Sequence, residues 1–125
     1  MVDEITSIAN AYDIEVEEDR SPDITTFTLT SNSGTTPKVI TVQYVKDRIY
    51  SVKFLNNDFF ELPDEELLNV LNLILQGQYE IKTSKFRKIK SVVVKSGSGD
   101  IFPERVSDDK LENYERLPES FPLKK

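Results

Sequence analysis

The sequence predicts an α+β domain: a single antiparallel sheet of about four to six strands, a central helix packed on one face of it, and a short N-terminal helix. Three observations carry this expectation. "KVITVQYV" (38–45) and "RIYSVKFL" (48–55) are β-branched and aromatic runs separated by Lys46-Asp47, which reads as a hairpin. "FFELPDEELLNVLNLILQGQ" (59–78) is a leucine-rich helical segment bracketed by Pro63 and Gly77. Beyond it, "YEIK" (79–82) and "IKSVVVKS" (89–96) return to strand-forming residues.

In chain order, Val2, Ile5, Ile8, Ala9 and Tyr12 recur at three- and four-residue intervals, the spacing of an apolar face on a helix over 2–12. "DIEVEED" (13–19) alternates Ile14 and Val16 with acids and reads as an edge strand or extended entry, broken by "SPD" at 21–23. "DITTFTLT" places Phe27 and Leu29 on one face and threonines on the other, giving a strand over 24–30 with one wet side. "SNSGTTP" (31–37) supplies turn residues before the hairpin, whose second arm alternates Tyr50, Val52 and Phe54 with Ser51 and Lys53.

Pro63 suits the first helical position, and Asp64, Glu65 and Glu66 suit the positive end of the helix dipole. Leu67, Leu68, Val70, Leu71, Leu73, Ile74 and Leu75 form an apolar stripe too wide for a half-exposed helix. Ser96-Gly97-Ser98-Gly99 reads as a hairpin loop, and "IFPERV" (101–106) as a short strand that Pro103 restricts to an edge. The expected organisation is one domain over 1–106 and a polar C-terminal tail over 107–125. In that tail Leu111 and Tyr114 are placed to dock one helical turn.

The chain has 125 residues, no Cys and no His. Without Cys there is no disulfide framework, thiolate nucleophile or zinc ribbon; without His the usual general base near neutral pH and the commonest metal ligand are missing. Catalysis would have to rest on carboxylate, Lys, Tyr, Ser or Thr groups with shifted pKa values. "SGSGD" (96–100) lacks the Lys-Ser/Thr pair of a phosphate loop, and "NND" (56–58) lacks the spaced oxygen ligands of a calcium loop and reads as a turn before Phe59 and Phe60. Those two phenylalanines read as core anchors. The expectation is a protein that is not an enzyme and carries no cofactor. The acidic N-terminus is unlike a signal peptide and no apolar run is long enough to span a membrane, so the expected location is cytoplasmic.

Charge is distributed in blocks. The net charge is −6, yet residues 1–23 carry eight acids against one Arg, and residues 82–99 carry six bases and no acid. Two candidate sites follow. Asp13, Glu15, Glu17, Glu18 and Asp19 would contact a basic partner protein. Lys85, Arg87, Lys88 and Lys90, within the basic segment 82–95, would contact nucleic acid, with the solvated side of a strand as the plainer reading. The pair Glu15 and Glu17 shares a strand face but has no third ligand in sight for a cation. The sequence leaves open whether the two charge blocks form separate faces or neutralise each other. The free sheet face, with threonines of 24–30 and lysines of 89–95, is where binding is expected.

The expected function is therefore that of a small acidic protein acting by protein–protein interaction, for example as an inhibitor or immunity-type protein or a phage or mobile-element accessory protein. The alternative is a nucleic-acid-binding regulator. Homodimerisation through a sheet edge is compatible with either.

Overall fold

The computed structural model describes residues 2–31, 38–45, 49–83, 90–106 and 118–124. It bears out the α+β class but divides the strands between two sheets. The elements in order are α1 (Val2–Ala9), β1 (Glu15–Arg20), β2 (Ile24–Ser31), β3 (Lys38–Val45), β4 (Ile49–Phe54), β5 (Asn57–Phe59), α2 (Asp64–Leu75), β6 (Tyr79–Thr83), β7 (Lys90–Ser96), β8 (Gly99–Ile101) and β9 (Arg105–Val106). One sheet runs β1-β2-β3-β4-β5-β9 and the other β6-β7-β8, with every pair antiparallel.

The expected single sheet fails at Pro103. The run "IFPERV" is not one strand: Ile101 ends β8 in the small sheet, and two residues after Pro103 the chain pairs as β9 with β5 in the large one. A proline has no N–H for a ladder, so the crossing between sheets falls where pairing is weakest. Helix α2 is accordingly not laid on one face of one sheet. It packs against both β4 and β7 and against α1, at the junction of the two sheets.

The local reasons for each element are legible in its residues. In β2, Thr25, Phe27, Leu29 and Ser31 are buried and the residues between them are not, the two-residue alternation of a strand with one wet face. Helix α2 buries Leu67, Val70, Leu71, Ile74 and Leu75, one stripe at helical spacing. Its first residue is Asp64, because Pro63 has extended backbone (φ −61°, ψ 159°) and serves as the N-cap instead of the first helical residue. The helix stops in a Schellman motif: the Gly77 N–H donates to the Ile74 carbonyl (3.0 Å) and the Gln78 N–H to the Leu73 carbonyl (2.9 Å).

The N-terminal helix is shorter than its apolar spacing suggests. It ends at Ala9, and the chain continues through two tighter turns, Ala11 N–H to Ile8 O and Tyr12 N–H to Ala9 O, before Tyr12 is buried. Between β4 and β5 the turn is made by Leu55 and Asn56, both with positive φ (47° and 61°), the conformation that a two-residue hairpin needs to match strand twist. Asn57, placed in the turn by the sequence reading, instead opens β5. Ser96-Gly97-Ser98-Gly99 is a hairpin connection, with Ser96 opposite Gly99.

A single core joins these parts. Phe27, Leu29, Ile40, Val42, Val52, Phe54 and Phe59 from the large sheet meet Ile5 and Ala9 of α1, the α2 stripe, and Tyr79, Val92 and Val94 of the small sheet. Residues 118–124, read from the sequence as part of a polar tail, close it. Phe121 is 1% exposed and stacks at 6.2 Å from Phe54, and its N–H donates to the Leu75 carbonyl (2.7 Å). Lys38, nearly buried, lies 5.4 Å over the Phe121 ring and pairs with Glu119 at 2.9 Å. The proposed helical turn at Leu111 and Tyr114 falls outside the described residues.

Candidate functional site

Strand β1 is exposed along all six residues, "EVEEDR". It is the terminal strand of the large sheet and pairs only with β2 among the described residues. The register sorts its side chains. Glu15, Glu17 and Asp19 stand opposite Thr30, Thr28 and Thr26, on the wet face. Val16, Glu18 and Arg20 stand opposite Leu29, Phe27 and Thr25, on the face that carries the core farther along the sheet. The core does not extend under β1: Val16 is 39% exposed, and Glu18 and Arg20 form an ion pair with each other. Asp13 precedes the strand at a bend, exposed, with its N–H bound to the Pro122 carbonyl at 2.8 Å.

Four of the five predicted acidic residues thus share one open strand, three of them on one face. The pairing of Glu15 with Glu17 on one side is as the alternation implies. Among the described residues no three acidic, His or Cys side chains gather into a group able to hold a metal ion.

The register continues the wet face in rows across the sheet. One row is Glu17, Thr28, Thr41, Lys53, Asp58 and Arg105; a second is Asp19, Thr26, Gln43 and Ser51, in which the Gln43 side-chain amide donates to the Thr26 hydroxyl (3.4 Å). This face carries hydroxyls and β-branched groups but none of the lysines of β7, which belong to the other sheet. The expectation of one free face holding both sets is corrected by that division.

Of the alternative site, Lys90 is described, and Lys85, Arg87 and Lys88 lie outside the described residues. Lys90 is half-buried opposite Thr83 at the start of β7. Lys95 pairs with Asp100 at 2.7 Å, and this contact holds the Asp100 carboxyl below the ordinary carboxylate range. Glu80 stands opposite Val93 on the strand beside Lys82. The described bases of the segment are thus interleaved with carboxylates.

The described lysines of the basic block stand on the other sheet from the acidic strand. Strand β7 is tied to the large sheet at β5, where the Val92 N–H donates to Asn57 Oδ1 (3.1 Å). From β5 to β1 there are four inter-strand steps. At about 4.8 Å each these measure roughly 19 Å along the ladder. Among the described residues no ion pair joins β1 to a lysine of β6 or β7.

A second concave feature escaped the sequence reading. A cleft of about 640 Å³ opens between the β5–α2 connection and the β8–β9 crossing, lined by Phe59, Phe60, Glu61, Leu62, Glu66, Ile101, Phe102, Glu104 and Arg105. Phe59 is a core anchor, as read from the sequence, but Phe60 follows it in the chain and turns to the cleft, half-buried. The Arg105 guanidinium lies 5.6 Å over the Phe60 ring. Glu61 adopts φ 54°, a left-handed backbone costing a glutamate about 1 kcal/mol, which brings the next residue's N–H to the Tyr50 carbonyl (3.1 Å) and buries Leu62. The available signals were the alternation past Phe59 and the proline in "IFPERV".

No protein-family model, curated protein or solved structure matches the chain. Among the described residues no helix is long and apolar enough to cross a membrane.

Proposed function

We propose that this chain is a small non-catalytic binding protein that uses β1 and the adjoining Asp13 to engage a basic protein partner and so occlude or regulate it. The single observation that carries the reading is the full exposure of an acidic edge strand whose one cation, Arg20, is already paired with Glu18. An open edge offers backbone hydrogen-bonding groups to an incoming strand, and its side chains select which strand is accepted. With four acids and one Arg, β1 repels a second copy of itself and attracts a basic segment. An inhibitor or immunity-type protein directed at a basic target is one form of this function, and a phage or mobile-element accessory protein is another. Nucleic-acid binding through segment 82–95 is the weaker reading, because carboxylates interleave with the bases described there.

The test is capture from lysate of the source cell, with and without nuclease, by the wild-type chain and by a variant carrying Glu15→Gln, Glu17→Gln and Asp19→Asn. A protein retained after nuclease by the wild type, lost by the variant and released by moderate salt is the expected result. Its association rate should fall by about tenfold or more in the variant. Equal retention by both chains removes β1 from the interface, and recovery of nucleic acid alone reverses the assignment.

A further inference from the structure

We propose that the cleft between the β5–α2 connection and the β8–β9 crossing receives an arginine side chain from a partner protein. This site stands on residues other than those of β1 and at the opposite edge of the large sheet, where β9 is the terminal strand. Three features of the cleft converge on a guanidinium.

The first is an exposed aromatic surface. Phe102 is 61% exposed on the rim, and Phe60 lines the wall. The second is charge: Glu61, Glu66 and Glu104 are exposed around the same opening against one cation, Arg105. The third is an internal precedent. Arg105 lies over Phe60 at cation–π distance, so a phenylalanine face in this cleft already holds a guanidinium.

The chemistry discriminates among cations. A planar guanidinium stacks on a ring while its edge N–H groups reach carboxylate oxygens in a fork, which a lysine ammonium does not reproduce. The cleft falls within the usual size range of sites for small groups, roughly 300–1,000 Å³, so an arginine and its aliphatic stem fit beside Phe102 with room for flanking backbone. An anionic ligand would meet three carboxylates against the single guanidinium of Arg105, and a neutral polar ligand would forgo the charge attraction that a guanidinium gains.

The test uses acetyl-Gly-Arg-Gly-amide as the probe, with the Lys and Gln tripeptides as controls, titrated into the full ¹⁵N-labelled chain. The expected result is saturable amide shifts confined to residues 60–62 and 101–105, with the arginine peptide tightest and the glutamine peptide silent. Phe102→Ala, at an exposed position, should weaken the arginine peptide by about two- to fivefold, and Glu104→Gln should weaken it and flatten its salt dependence. Glu15→Gln with Glu17→Gln should leave it unchanged, which separates this site from the edge strand. Shifts centred on 15–19, equal response to all three peptides, no saturable shift at millimolar peptide, or indifference to Phe102→Ala overturns the assignment.

Discussion

At Gly77 two demands meet on one atom position. The residue ends α2 with φ +76°, and a Cβ built there would lie 2.6 Å from the Ser120 nitrogen and 2.7 Å from the Glu119 carbonyl carbon, both backbone. A left-handed backbone alone costs an L-residue about 1–2 kcal/mol, and the contact with residues 119–120 cannot be relieved by turning a side chain. Gly77→Ala should therefore destabilise the fold by more than about 2 kcal/mol in urea unfolding. A loss below about 1 kcal/mol would mean that the C-terminal segment moves aside easily. Half of this role was legible in the sequence, since a glycine after an apolar helical stripe is a stop signal. The other half was not, because the partner atoms come from residues more than forty positions away and local pattern carries no trace of them.

At the scale of elements, the alternation within strands was readable and the partition of strands between sheets was not. Phe27, Leu29, Val52 and Phe54 face the core as their spacing implies, and Glu15, Glu17 and Asp19 share a face for the same reason. Sheet membership instead depends on a few long-range links, of which Asn57 is one. It is 0% exposed; its amide nitrogen donates to the Leu55 carbonyl (2.7 Å) across the β4–β5 turn and its oxygen accepts from Val92 in β7. One side chain thus fastens the small sheet to the large one. Asn57→Ala removes the acceptor of a buried N–H, which costs about 1–3 kcal/mol. Amide exchange at Val92 should accelerate more than exchange in β2 and β3. Uniform acceleration across both sheets would show that Asn57 contributes to global stability without specifically joining the sheets.

For the whole molecule, the question is what converts two sheets and two helices into one cooperative unit, and residues 118–124 supply much of the answer. They pair with the chain beyond α1 through Tyr12 and Leu123, bind α2 through the Phe121 N–H, and place Phe121 beside Phe54, which in turn meets Tyr79 edge-on at 5.3 Å. The Tyr79 phenol is buried there, with a backbone hydrogen bond from Glu119, and burial pushes its pKa above the ordinary value near 10. A group whose folded pKa is raised contributes stability that is fully present below its unfolded pKa and is lost as pH rises through the folded one. The wild-type chain should therefore keep a late-titrating tyrosine in an absorbance titration and weaken on the alkaline side. Phe121→Ala opens a cavity in this cluster and should cost about 3–5 kcal/mol, a large share of the ~5–15 kcal/mol that holds a domain of this size. With water admitted beside it, Tyr79 should titrate closer to its ordinary range in whatever fraction remains folded. If the variant instead loses under about 1 kcal/mol and Tyr79 still titrates late, the segment is an appendage and the core closes without it.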